Sequence, residues 1–188
     1  MNAHPLFFVC AYSLDMATID ALLNAALSSF LDLHGAERGN IQVLDTDEGH
    51  RTLRILAHQG FEAPFLNAFA RVSADDESAC GRALRFRCSV VVPDTEEDDA
   101  FAPYRLIARQ AGYRSVISTP IISRWDHIVG IISTHFPHPH TPARAAIDRG
   151  EVLARQLAHD ILYVLEPREN LVLPRGHGVG ARVAKSSR

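Results

Sequence analysis

The sequence predicts an α+β fold that combines an antiparallel β-sheet with two long helices. Residues 115–123 and 128–136 are rich in β-branched side chains and flank a short polar break, which is the pattern of an antiparallel hairpin. Residues 14–33 and 142–166 carry apolar residues at alternating spacings of three and four, as amphipathic helices do. At 188 residues and 47% apolar content, the chain can form one domain with its own core.

The hairpin is expected at the centre of the sheet. Val116 and Ser118 point to one face and Ile117 and Thr119 to the other, because side chains alternate along a strand. Both faces therefore carry apolar residues, and both should be covered by other elements. Small hydroxyl groups lie among the apolar residues on each face, which suits a sheet that forms the floor of a cavity.

The first helix is predicted over residues 14–33, with Ser13 as its N-cap and His34-Gly35 as its end. Its heptad-like seam consists of Met16, Ile19, Leu23, Ala26, Phe30 and Leu33. Further leucines at positions 22, 27 and 31 widen the apolar surface beyond a single stripe.

The middle of the chain alternates short strands and short helices. Two strands over residues 40–44 and 51–58 form a hairpin around Gly49. The following elements are predicted as a helix over 64–72, a helix over 78–87, a strand over 89–92 and a helix over 104–111. The acidic run 96–99 is expected in a solvated connection.

The last helix is predicted over residues 142–166, with Thr141 as N-cap and Pro142 at its first position. It should end before Pro167. Its seam steps through Ile147, Gly150, Ala154, Leu157, Ile161 and Val164, and leucines at 153, 162 and 165 add a second apolar stripe.

Several short motifs occur in one order and spacing along the chain. They are Gly39-Asn40-Ile41-Gln42, residues 78–84 (Ser-Ala-Cys-Gly-Arg-Ala-Leu), Val91-Val92-Pro93-Asp94, Asp99 with Phe101, Ser118-Thr119-Pro120-Ile121, and residues 128–136. Together they resemble a GAF domain over residues 17–165, preceded by a lead-in over 1–16 and followed by a flexible basic tail over 166–188.

The resemblance is to the GAF modules of bacterial sensor histidine kinases and signalling proteins. It implies a GAF/PAS-like six-stranded antiparallel sheet, with pocket helices on one face and the N- and C-terminal helices on the other. It also implies a sensory role, a small-molecule ligand, a signalling partner protein and a homodimer through helices 14–33 and 142–166. Burial of both helix stripes within one monomer is the alternative to the dimer.

Composition excludes several other classes of function. The formal net charge of −3 gives no electrostatic basis for nucleic-acid binding. No apolar run is long enough to cross a membrane. The three cysteines match no zinc or disulfide framework, which indicates a reducing compartment and a cytoplasmic protein.

We expect a ligand cleft between the hairpin and the pocket helices. Its walls would come from Phe61, Phe65, Phe69, Cys80, Tyr104 and Arg105, and its floor from Ser118, Ser133 and His135. Arg105 and His135 could then orient an anion or a carbonyl group. These phenylalanines are equally ordinary core residues, so a cleft filled by its own side chains stays open as an alternative.

A cysteine-based enzyme is the main alternative to a non-catalytic sensor. Cys80-Gly81 matches a Cys-Gly pair of free methionine sulfoxide reductases, which share the GAF fold, and a thiolate at a helix N-terminus would have a lowered pKa. However, Cys80 and Cys88 lie about 12 Å apart by helical rise, too far for a disulfide. No cofactor is predicted, because the residues that follow the cysteines do not match bilin attachment.

Two further features allow a functional and a structural interpretation. His135, His138 and His140 offer imidazole ligands, but no carboxylate completes a site and no metal is predicted. Trp125, at the hairpin tip, is expected to pack on an adjacent loop rather than to anchor an interface.

Overall fold

The computed structural model describes residues 16–47 and 50–165 and confirms the α+β class. The elements are α1 (Met16–His34), β1 (Arg38–Asp47), β2 (His50–Gln59), α2 (Ala63–Ala68), α3 (Ala79–Phe86), β3 (Val90–Val92), a 3-10 turn (Ala102–Tyr104), α4 (Arg105–Gln110), β4 (Ser115–Ile122), β5 (Ile128–Phe136) and α5 (Arg144–Leu165). The expectations for Ser13 and for the segments 1–15 and 166–188 lie outside the described residues.

All strand pairs are antiparallel, and the strand order is β2-β1-β5-β4-β3. The described residues thus form five strands rather than the six that the resemblance implied. At the β2 edge, Val72 makes only a single bridge to Leu53. The chain turns immediately afterwards, because the Asp76 carboxylate accepts hydrogen bonds from the backbone N–H and the hydroxyl of Ser73. This turn ends the extended segment after one residue.

Strand register separates the two faces of the sheet. Ser133 of β5 pairs with Asn40 of β1 and with Ser118 of β4, so three polar side chains lie side by side on one face. On the opposite face Ile132 pairs with Ile41 and with Thr119. The predicted alternation of the hairpin is confirmed, and each face is covered by a separate apolar cluster.

Helices α1 and α5 cover the second face. His34, at the end of α1, lies 3.3 Å from the position of a Cβ on Gly150, in the second turn of α5, so the helices run antiparallel. Their shared core includes Leu23, Leu27, Phe30, Ala154, Leu157 and Ile161. Leu22, Leu153 and Leu162, from the second stripes, pack partly buried against the same core. Much of the apolar surface that predicted a dimer is therefore buried within one chain.

Some predicted helix limits are wrong. Helix α5 begins at Arg144, not at Pro142, and Thr141 does not cap it. The preceding segment is held on the sheet instead, since the His140 backbone N–H donates to the Pro93 carbonyl (2.9 Å) and its ring stacks on Phe136. Helix α2 ends at Ala68, four residues earlier than expected.

Candidate functional site

A small cavity of about 10 Å³ lies between the first face of the sheet and helices α2 and α3. This volume is close to that occupied by one water molecule. The sheet contributes Asn40, Gln42, Ser118, Ser133 and His135 to its lining, while the helices contribute Phe65, Phe69 and Cys80. This cavity lies between the elements from which the cleft was predicted, and the protein's own side chains nearly fill it.

Aromatic side chains fill the helix side of the cavity. The Phe65 ring stacks on Phe61, with 3.6 Å between ring centroids, and contacts Phe69 at 4.7 Å. Tyr113, buried behind them, meets Phe65 edge-on at 6.1 Å. These contacts leave little free space beside the rings. Any ligand larger than water must displace part of this wall.

Only some of the polar side chains that the sheet contributes to the cavity have all their hydrogen-bond partners. The hydroxyls of Ser118 and Ser133 hydrogen-bond to each other at 2.8 Å. The Gln42 side-chain amide donates to the Phe69 carbonyl at 3.3 Å, but Gln42 Oε1 has no hydrogen-bond partner among the described residues. Gln42 is 0% exposed, so this oxygen has lost its water without gaining a protein partner. Such an unpaired buried oxygen lowers the stability of the fold.

His135 is the second unsatisfied group. Its ring is surrounded edge-on by Tyr113 (4.7 Å), Phe61 (4.9 Å) and Phe65 (5.6 Å), and the residue is 4% exposed. Burial, followed by the positive charge of Arg38, lowers the pKa of His135 to about 3, so the imidazole is neutral at physiological pH. Its Nδ1 has no hydrogen-bond partner among the described residues.

Cys80 lies in the first turn of α3, which Ser78 caps by accepting a hydrogen bond from the Gly81 N–H. A Cβ at position 81 would lie 2.4 Å from the Asp76 carbonyl, so only glycine permits this close packing. Burial raises the pKa of the Cys80 thiol, although the hydrogen bond between Cys80 and Ser78 opposes the shift. The lowered pKa expected of a helix N-terminal nucleophile is therefore absent.

Tyr104 and Arg105 lie outside the cavity lining. The Tyr104 hydroxyl donates to Asp76 (3.0 Å), and burial with this contact raises the pKa of Tyr104 to about 12. Arg105 donates to the carbonyls of Thr95 and Asp98, both at 3.1 Å. Its guanidinium is thus occupied by a loop and does not face a ligand.

That loop, residues 94–99, is solvated only in part: the Asp99 side chain is fully exposed, as expected, whereas those of Asp94 and Asp98 are largely buried. Arg82 pairs with Asp98 at 2.8 Å, while Arg109 pairs with Glu96 and Arg114 with Asp94. The hydrogen bond from Arg109 lowers the pKa of Glu96, and the one from Arg114 lowers that of Asp94. Ion pairs from several elements hold the loop beside the pocket helices.

Of the nine predicted site residues, six line the cavity: Phe65, Phe69, Cys80, Ser118, Ser133 and His135. Phe61 stacks on Phe65, Tyr104 donates to Asp76, and Arg105 donates to the loop 94–99. The prediction omitted seven lining residues: Asn40, Gln42, Ser78, Ala79, Phe101, Tyr113 and Val116. The alternation of polar Asn40 and Gln42 around Ile41 in a buried strand was a usable signal for the first two.

The metal interpretation gains no support from the described part of the chain. Between residues 16–47 and 50–165, no group of three or more His, Cys, Asp or Glu side chains could hold an ion. The same ranges contain no helix with the length and hydropathy to cross a membrane.

The chain matches known proteins through its fold. A family model described as "GAF domain" matches residues 16–161. A GAF domain/HD domain protein from Geobacter sulfurreducens superposes with a TM-score of 0.65 at 16% identity, covering 82% of this chain and 99% of that chain. No curated protein is a significant match to the sequence.

Two further solved structures come from different functional settings. A domain of a protein described as a two-component sensor histidine kinase, from Sinorhizobium meliloti, has a TM-score of 0.62 at 18% identity and covers 78% of this chain and 92% of its own. A type II free methionine-R-sulfoxide reductase from Thermoplasma acidophilum has a TM-score of 0.63 at 14% identity, covering 79% and 96%. At these identities the likeness establishes the fold alone.

Proposed function

The chain belongs to the GAF domain family, and on this basis we propose that it is a cytoplasmic sensory module whose internal cavity binds a small molecule. One observation carries the proposal. Two buried polar atoms, Gln42 Oε1 and His135 Nδ1, lack hydrogen-bond partners among the described residues and belong to side chains that line the same cavity. Each such group costs about 1–3 kcal/mol of stability unless something pairs with it.

The chemistry of the cavity favours a neutral ligand. His135 is uncharged, and the cavity lining contains no lysine, arginine or carboxylate to compensate an ionic ligand. Gln42 Oε1 can only accept a hydrogen bond, so the ligand must present an N–H or O–H group. Its apolar part would replace Phe65 or Phe69, whose helix α2 has six residues and no side-chain N-cap.

Strand β5 offers a route from the cavity to the terminal helices. Thr134, next to His135, points to the opposite face, where its hydroxyl lies 2.8 Å from Nδ1 of His34. His34 ends α1 and packs against Gly150 of α5. A ligand that moves His135 would therefore shift the packing of α1 and α5, and we propose that this change reaches a partner protein.

We also propose that two copies associate through α1 and α5. The support is limited to the outer face of α5, where Val152 is large and exposed. Contact between copies would cover this side chain, and it would let the ligand-dependent packing of the helices alter the assembly.

Native mass spectrometry of the purified protein tests the proposal, with mild and denaturing conditions compared. We expect a dimer that carries a small mass, lost on denaturation. The variant Gln42→Met should lose the bound mass, whereas Gln110→Met, at an exposed position of α4, should retain it. A bare monomer would contradict the sensor mechanism. A dimer without ligand would favour a pure dimerisation module with a self-filled cleft.

The redox enzyme remains a second candidate because Cys80 lines the cavity. Its raised pKa opposes catalysis, and Cys88 is exposed beyond the far end of α3. Free methionine-R-sulfoxide supplied with a dithiol reductant tests this candidate. Turnover that is lost in Cys80→Ser but retained in Cys88→Ser would establish the enzyme, and no turnover would exclude this activity under the assay conditions.

A further inference from the structure

A second recess, which we call the tip groove, lies far from the cavity. It has a volume of about 540 Å³ and separates the turn between β4 and β5 from the last turns of α5. Six side chains dominate its lining: Arg87, Arg124, Trp125, Arg155, His159 and Tyr163. The volume is within the range of specific binding sites, which is roughly 300–1,000 Å³.

The tip groove is electropositive. Arg87, Arg124 and Arg155 reach it from three separate elements, and Asp126 is the acidic residue in its lining. Asp126 is already paired with Arg87 at 2.9 Å. Neither Arg124 nor Arg155 pairs with a carboxylate among the described residues. Two guanidinium groups thus remain available to an acidic partner.

Large aromatic side chains stand exposed beside these cations. Trp125 is 54% exposed and Tyr163 is 66% exposed. The expectation that Trp125 packs on an adjacent loop is therefore wrong. The Arg124 guanidinium lies over its ring, 4.2 Å from the ring centroid. Tryptophan, tyrosine and arginine are the residues most enriched among those that dominate binding energy at protein interfaces.

We propose that the tip groove binds an acidic segment of a different protein, with an apolar side chain seated between Trp125 and Tyr163. Carboxylates of that segment would pair with Arg124 and Arg155, which gives the groove its selectivity by charge. A nucleic acid fits less well, because the whole chain carries a net charge of −3.

A second copy of this chain is a poorer occupant. Its main acidic segment, residues 94–99, is held by Arg82, Arg105, Arg109 and Arg114 of the same chain. Those pairs would have to break before the segment could enter the groove of another copy. The proposal does not depend on the ligand of the internal cavity.

The test uses Trp125 as its own reporter, since it is the single tryptophan of the chain. The full-length protein is titrated at low salt with the peptide acetyl-Glu-Glu-Leu-Leu-Glu-Glu-amide while Trp125 emission is recorded. We expect a red-shifted emission before the titration and a saturable blue shift during it. The peptide acetyl-Gln-Gln-Leu-Leu-Gln-Gln-amide should bind at least tenfold more weakly, because it lacks the carboxylates.

Matched variants distinguish binding in the tip groove from nonspecific attraction of the peptide to any exposed arginine. Arg155→Gln should weaken binding of the acidic peptide about tenfold, whereas Arg149→Gln, exposed on the same helix outside the groove, should leave it unchanged. Each of three results overturns the proposal: equal binding of both peptides, unchanged binding by Arg155→Gln, or no saturable response. A protein-concentration dependence of Trp125 emission without peptide would instead assign the groove to a second copy.

Discussion

Ile41, Ile121 and Ile132 pack against α1 and α5 on one face of the sheet, whereas the same three strands present Gln42, Ser118 and His135 on the other. Both sets are buried, and both lie on strands joined by the same hydrogen-bond ladder. The helix face is mostly apolar; its polar groups are Thr119, Thr134 and His34, whose Nε2 is also buried without a partner among the described residues. The cavity face is more polar, and there Gln42 Oε1 and His135 Nδ1 have no such partner.

This difference indicates what each face contributes. An apolar core gains about 25 cal/mol for each Å² removed from water, so the helix face stabilises the domain. An unpaired buried oxygen opposes folding by about 1–3 kcal/mol, and apolar substitutes for Gln42 would avoid that cost. Local rules of packing are typically broken at functional sites, which is why the cavity face carries the proposed function.

The largest effect is expected on the helix face. Phe30→Ala removes a buried ring between α1 and α5 and should lower the free energy of unfolding by about 3–5 kcal/mol. Ser29→Ala, exposed on the neighbouring position, should change it by less than about 0.5 kcal/mol. Urea unfolding followed by circular dichroism measures both values. Equal effects of the two variants would show that this face is not the stabilising core.

The pH dependence of stability should report on the cavity face. Because the folded pKa of His135 lies near 3, below its value of about 6.5 in the unfolded chain, protonation favours unfolding. Stability is complete above pH 6.5 and should fall by about 1.4 kcal/mol per pH unit below it.

His34, whose pKa is lowered by burial, adds to this loss in the same direction. The variant His135→Leu should flatten the profile between pH 6.5 and 5 more than His138→Gln, which alters an exposed histidine. The test is to measure the free energy of unfolding of the wild type and both variants between pH 6.5 and 5. Superimposed profiles for wild type and His135→Leu would show that His135 is not buried in the folded protein.

An effect of opposite sign is expected at Gln42. In the ligand-free protein, Gln42→Met removes an unpaired oxygen and also the long hydrogen bond of 3.3 Å to the Phe69 carbonyl. The first effect should outweigh the second and raise the free energy of unfolding by about 1 kcal/mol. Thermal unfolding of ligand-stripped protein measures it, with Gln110→Met as the exposed control. Destabilisation by Gln42→Met would mean that the bond to Phe69 contributes more than the unpaired oxygen costs.

The smallest effect concerns the hydroxyl pair of the floor. Ser118→Ala leaves the buried Ser133 hydroxyl without its 2.8 Å partner and should cost about 1 kcal/mol. The double variant Ser118→Ala with Ser133→Ala should be closer to wild type than the sum of the single variants. A double-mutant cycle measures this coupling, and strict additivity would contradict the contact.

The pattern of residues close together in the sequence was sufficient to predict most of the helices and strands. The β5 limits are confirmed, the hairpin alternation holds and α3 (Ala79–Phe86) lies within the predicted range 78–87, because each depends on nearest neighbours along the chain. The start of α5 was not predictable in this way. Thr141-Pro142 is a good helix start by sequence, but a contact from His140 to Pro93, far away along the chain, decides the conformation there.

For the site, the sequence by itself determined which residue types face the cavity: phenylalanines, small hydroxyls and one histidine on alternating positions. Only the tertiary structure decided that Arg105 turns away to the acidic loop and that Trp125 stands exposed. The reason is physical. Periodicity specifies the face on which a side chain lies, whereas burial, charge pairing and the pKa of His135 depend on what the other elements bring against that face.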